Sequence, residues 1–219
     1  SEVLEVSVCK DNLENSQNDV VGSSEITLNG GKFSDIQKAI DNVGDGGTIH
    51  LNGYYSAQNN DSVIYVNKNI RIAGGLDTVL DGKNISCIFS IQKTGSNCQI
   101  SNLKFVNGMD VHGGAMIILG KNVVVENSVF ENNYAIGSNS DGGALSSFGV
   151  VDIDNSIFIN NYVNGSRECM GGALYIGQGS NATCIKSVFI NNSALSSNKS
   201  LEYGGAISDD SEINCYYNI

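Results

Sequence analysis

Proline and tryptophan are absent from this sequence, and histidine occurs only at His50 and His112. Proline cannot donate to a ladder of strand hydrogen bonds, so its absence fits a chain built of paired strands. A compositionally biased genome is the alternative reading. Charge is also scarce: 16% of the residues are charged and the formal net charge is −11. Nucleic-acid binding needs clustered Lys and Arg, so no nucleic-acid partner is expected. An acidic surface protein, a carbohydrate partner or bound cations remain compatible with this balance. No apolar run approaches the ~20 residues of a membrane-spanning helix, so no membrane span is expected. The opening "SEVLEVSVCK" lacks a signal-peptide pattern and fits a trimmed secreted chain and a cytosolic chain alike.

What is abundant is glycine, and one triplet recurs. Gly-Gly-Ala stands at Gly113, Gly142, Gly171 and Gly204, at intervals of 29, 29 and 33 residues. Residues 142–170 read "GGALSSFGVVDIDNSIFINNYVNGSRECM", and the copies on either side follow the same order. A degenerate earlier copy places Phe105 where the later ones have Phe130, Phe158 and Phe189. Repeats of this length indicate a solenoid. Each copy holds about three short Val/Ile/Phe-rich runs separated by Gly, Asn and Ser, which is strand and turn chemistry. Three short strands per turn give an all-β fold, a right-handed parallel β-helix whose coils stack about 4.8 Å apart.

The two-residue period of a strand sets which side chains enter the core. The four Phe are expected to point inward and stack. Ile100, Val125, Ile153 and Cys184, five residues earlier, share that parity. By the same count Asn107, Asn132, Asn160 and Asn191 are expected inward at a corner, as a hydrogen-bonded ladder. The Gly pair supplies positive φ and close chain approach at another corner, with a small Ala behind it. Loops of variable length, 135–141, 163–170 and 194–203, enter just before that corner. Ahead of the repeats, "FSDIQKAIDNV" has helical spacing at Ile36, Ala39, Ile40 and Val43, with Ser34 and Gln37 as a capping box. This helix, about 34–43, is expected to cover the open end of the core. Residues 1–24 form an extra strand or an arm, and residues 25–219 the β-helix domain.

"FSDIQKAIDNVGDGGTIHLNGYY", "IRIAGGLDTVLDG" and the repeated Gly-Gly-Ala with Asn-Ser-x-Phe-x-Asn-Asn resemble the adhesin-like surface proteins of methanogenic archaea. The Gly-Gly-Ala and Phe-x-x-Asn pairing is also similar to the polymorphic outer-membrane proteins of chlamydiae. Both belong to the pectin-lyase-like β-helix group. The resemblance spans about residues 25–219 and implies that fold, with display at a cell surface or secretion, and adhesion. It brings no catalytic motif and no cofactor. The chain ends at "INCYYNI", inside what reads as a further coil without a C-terminal cap. The expectation there is either a fragment of a longer protein or an open end completed by another subunit.

Three function classes follow: a non-catalytic adhesion module, a structural subunit building a fibre or layer by end-on or lateral contacts, and a polysaccharide lyase or hydrolase. A lyase needs a Lys or Arg base near acidic cation ligands, and Arg occurs only at Arg71 and Arg167. A hydrolase needs facing carboxylates. Glu126, Asp152 and Asp154 are expected outward on one face, as a solvated acidic surface, a cation site or a catalytic group. His112 precedes a glycine corner with no evident acid partner, and 208–212 is an acidic loop. The cysteines are Cys9, Cys87, Cys98, Cys169, Cys184 and Cys215, with Cys87–Cys98 and Cys169–Cys184 as conceivable local bridges. Asn-x-Ser/Thr sequons at Asn60, Asn84, Asn164, Asn181, Asn191 and Asn198 raise glycosylation. No catalytic residue is assigned and the metal question stays open. The residues that flank each inward Phe must point outward. Val129, Ile157, Ile159, Val188 and Ile190 therefore form an apolar stripe on the outer surface. The stripe is the candidate binding site for a cell-surface protein or carbohydrate, or for identical subunits, unless the chain's own loops cover it.

Overall fold

The computed structural model describes residues 22–59, 63–197, 202–216 and 218–219. Cys9 and the sequons at Asn60 and Asn198 lie outside the described residues, as does most of the expected N-terminal arm. From Ser23 onward the chain is a right-handed parallel β-helix, as the repeats require. Its strands pair only in parallel, coil upon coil, among the described residues. The longest sheet has 13 strands and two halves. One half contains Gln99–Ser101, Val123–Glu126, Val150–Asp154 and Asn181–Ile185. The other contains Lys104–Val106, Val129–Glu131, Ile157–Ile159 and Val188–Ile190. A 6-stranded sheet, with Met116–Ile118, Leu145–Ser147 and Leu174–Ile176, closes the coil on the far side.

The core is a set of columns. Phe105, Phe130, Phe158 and Phe189 pair residue for residue. Their rings stack at centroid spacings of 4.8 Å with planes within 9° of parallel. Ile100, Val125, Ile153 and Cys184 form the next column, all buried. Like side chains stacked at the strand spacing pack the interior closely.

The buried Asn ladder lies one residue later than strand parity predicts, and the expected Asn160 and Asn191 are hydrogen-bonded to each other, Nδ2 of Asn191 donating to Oδ1 of Asn160 at 2.7 Å, but on the outer side. Asn107, Asn132, Asn160 and Asn191 adopt φ between 51° and 55° and turn toward solvent. A single left-handed residue bends the chain and shifts the parity of everything after it, and Asn is among the few residues that accept that conformation. The buried members are Asn133 and Asn161, with Asn192 at the last coil. Asn133 Nδ2 donates to Asn161 Oδ1 at 3.0 Å and to the Phe105 carbonyl at 3.1 Å. Asn161 repeats the pattern with Asn192 Oδ1 and the Phe130 carbonyl. A second bend of the same kind separates the halves of the long sheet, with Asn127 and Asn155 left-handed and Ser128 and Ser156 buried behind them.

The described parts of the expected variable loops form short strands. Tyr134–Gly137, Tyr162–Gly165 and Ser193–Ser196 pair with one another, as do Ser140–Asp141, Cys169–Met170 and Glu202–Tyr203. They make a fin with its own small core of Ala135, Val163 and Cys169. The glycine pair closes its neck. Gly142 has φ of +54°, and a Cβ on Gly143 would lie 2.1 Å from the Gly172 carbonyl oxygen and 2.7 Å from the Tyr162 backbone nitrogen. The first glycine therefore turns the chain, and the second lets it pass the strand that leaves for the fin.

The helix spans Phe33–Asn42 and begins one residue before the expected start. Its first turn is capped by Asp35, whose carboxylate accepts the Lys32 N–H at 3.0 Å, and not by Ser34. Gln37 instead accepts the Tyr65 N–H at 2.8 Å, tying the helix to a neighbouring strand. Val43 already belongs to the following strand. Phe33, Ile36, Ala39 and Ile40 are buried against the N-terminal end of the core, so the helix covers that end. Lys68 Nζ donates to the carbonyls of Ile40, Asp41 and Val43 and satisfies its last turn. No helix among the described residues is long and apolar enough to cross a membrane.

Candidate functional site

Every strand of the long sheet turns alternate side chains outward, so each half presents its own surface. On the half that carries Val123–Glu126, Glu126 pairs with Asp154 on the adjacent coil, and Asp152 lies between Val124 and Thr183. The neighbouring coils bring Gln99 and Ser101 on one side, and Thr183 and Ile185 on the other. Asp154 Oδ1 is enclosed without a hydrogen-bond partner. No group of three or more His, Cys, Asp or Glu side chains that could hold a metal occurs among the described residues. A shallow groove of 250 Å³ beside Asp152 is lined by Asn181, Thr183, Glu212 and Asn214. Arg71 lies on the same half, but its column runs Arg71, Gln99, Val124, Asp152. Three coil steps separate it from Asp152, about 14 Å at the strand spacing.

The other half carries the apolar stripe. Val129 pairs with Ile157 and Ile157 with Val188, while Ile159 pairs with Ile190. The five side chains thus form two adjacent columns over three coils. Ile190 is 49% exposed, and the other four keep part of their surface in solvent. None of the five packs into the main core or the fin core. The described fin strands pack chiefly on one another. Toward the N-terminus polar side chains interrupt the same columns: one continues through Lys104, Val79 and Tyr54 and the other through Glu131, Val106 and Asp81, with Lys104 Nζ and Glu131 Oε2 paired at 2.6 Å.

His112 corrects its sequence reading, because it has an acid partner one coil away. Its Nδ1 lies 2.8 Å from Asp141 Oδ2. Asp141 is buried at the root of the fin, and its Oδ1 accepts the Ser146 hydroxyl at 2.5 Å. The Asp141 hydrogen bond raises the His112 pKa above its ordinary 6.5. The order of contacts is Ser–Asp–His, so the imidazole does not reach the hydroxyl it would have to activate, and Ser146 is fully buried. Phe148 packs edge-on against the imidazole and against Tyr175, whose hydroxyl donates to Asp210 Oδ2 at 2.7 Å. Asp210 belongs to the expected acidic loop and is thereby committed to a tyrosine. The signal for the His112–Asp141 pair was present in the sequence, since each immediately precedes a glycine pair and the two stack when the repeats are aligned.

Cys87, Cys98 and Cys184 are buried and unbridged, Cys215 is exposed and unbridged, and buried Cys169 donates its thiol to the Leu195 carbonyl at 3.0 Å. Neither proposed local disulfide forms. Burial pushes the Cys98 thiol up to about 12 and Cys184 to about 11, so neither is a thiolate nucleophile at neutral pH. The sequons at Asn84, Asn164, Asn181 and Asn191 are exposed. Comparison with family models, curated proteins and solved structures gives no match for this chain.

Proposed function

We propose that this chain is a non-catalytic adhesion or interaction module, secreted or displayed at a cell surface, in which a rigid β-helix presents the stripe of Val129, Ile157, Ile159, Val188 and Ile190 to a partner. The observation that carries the reading is the stripe itself: five apolar side chains in register, outside both cores, with Ile190 exposed and the other four partly exposed. Contiguous exposed apolar surface of this kind marks interaction sites. The resemblance of the repeats to adhesin-like surface proteins points the same way. The carboxylates of the polar half support it indirectly, because Arg71 is three coils away and Lys104 is engaged by Glu131. Coil-on-coil fibre growth is less favoured, since the helix occupies the N-terminal end of the core.

The test has two arms. Microspheres coated with the chain are measured for retention on immobilised surface proteins and polysaccharides, alongside the Ile157→Lys/Ile159→Lys variant. The same chain is incubated with polyuronates. Retention lost in the variant is expected. Release of reducing or unsaturated ends that disappears with Asp152→Ala or Asp154→Ala would overturn the reading in favour of an enzyme.

A further inference from the structure

We infer that the partner of the stripe is the same surface on a second copy of this chain, packed face to face about a twofold axis. This rests on the reading of the stripe as a contact surface and names its occupant. The first argument is spacing. Val129, Ile157 and Val188 form one column and Ile159 and Ile190 the other, with rungs set by the coil repeat of 4.8 Å seen in the stacked Phe rings behind them. Two columns of β-branched side chains at a constant rung spacing are matched along their length by a surface with the same rungs, such as another parallel β-helix face. Two such faces interdigitate at the usual separation of stacked sheets, about 10 Å.

The second argument is charge. Two copies that each carry −11 repel, and close approach is least costly where neither presents charge. The outward positions of the polar half carry Glu126, Asp152 and Asp154 in the matching coils. The stripe carries none, and the nearest carboxylate along it, Glu131, is already neutralised by Lys104. An antiparallel arrangement centred on Ile157 and Ile159 sets Val188 and Ile190 of one copy against Val129 and Glu131 of the other. The third argument is size. Five side chains fall short of the roughly 20–30 residues a side of a standard interface, so the contact is weak in free solution and gains strength when copies are held side by side on a surface.

Sedimentation equilibrium of the whole chain, up to about 1 mM, is the test. A monomer–dimer equilibrium is expected, and it should tighten as salt rises from about 50 to about 500 mM, because screening removes repulsion while apolar contact persists. Ile157→Lys/Ile159→Lys should weaken it at least about tenfold. The same two charges on the polar half, Val124→Lys/Thr183→Lys, should not. If the lysine pair impairs folding by circular dichroism, Ile159→Thr/Ile190→Thr replaces it with the same expected direction. A chain that stays monomeric throughout overturns the inference, as does association that weakens with salt or that survives the stripe variants. A monomeric chain whose microsphere retention still depends on the stripe would remove the second copy as partner and leave the interaction module standing.

Discussion

Three residues after Asp152 the chain bends at Asn155, and two residues further on Ile157 faces outward on a different surface. Both surfaces belong to one sheet, share one interior and repeat at the same spacing. One turns Glu126, Asp152, Asp154 and Thr183 to solvent; the other turns Val129, Ile157, Ile159, Val188 and Ile190. The interior columns behind them are equally apolar, so folding alone does not require the outer positions to differ. The difference teaches that the outer columns of a solenoid are free to carry function, because the inner columns already specify the fold.

The comparison breaks most completely if the shared interior is breached. Phe158 stacks between Phe130 and Phe189 at 4.8 Å on both sides. Phe158→Ala should cost about 3–5 kcal/mol in denaturant unfolding and loosen both surfaces together. Loss confined to one half would mean that the halves do not share a cooperative core.

The Asn doublets give the next largest effect. Asn161→Ala removes the acceptor of the Asn133 side chain and backbone and the donor to the Phe130 carbonyl. It should cost about 1–3 kcal/mol. Asn160→Gly, one residue away on the outer, left-handed position, should change stability by no more than a few tenths of a kcal/mol, up or down. Equal effects at both positions would contradict the shifted ladder.

On the polar half, stacked Glu126 and Asp154 repel. Asp154→Asn should therefore stabilise the chain by about 0.2–1 kcal/mol, read from thermal unfolding. Destabilisation that appears only when calcium is present would instead point to a cation held there.

The smallest effect lies at the root of the fin. The His112 pKa is raised in the folded chain, so the Asp141 contact stabilises fully below the unfolded value near 6.5 and is lost as pH rises through the folded value. Stability should fall slightly across that interval, and Asp141→Asn should flatten the dependence. His112 is about half exposed, so solvent screening keeps the effect small.

These positions also mark how far the sequence could be read. The Phe columns, the glycine pair and the helix over the core end follow from periodicity and from the backbone needs of glycine. The Asn ladder was displaced because parity counting assumes a continuous strand, and a left-handed residue at a corner consumes one position. The doublets "ENNY", "INNY" and "INNS" contain the clue, since the first Asn takes the bend and the second enters the core. In the sequence the fin reads as loops because its strands are short and gain their order from stacking across coils, a relation between residues about thirty apart. His112–Asp141 was missed for the same reason. The stripe positions were legible from their alternation with Phe, and their exposure depended on where the fin folds.

The most direct test of the contrast between the surfaces is hydroxyl-radical footprinting of the chain at low and high concentration. Oxidation of Ile157, Ile159, Val188 and Ile190 should fall as concentration rises, while Val124 and Ile185 on the polar half keep their rates. Protection of both halves alike, or of the polar half alone, would contradict it.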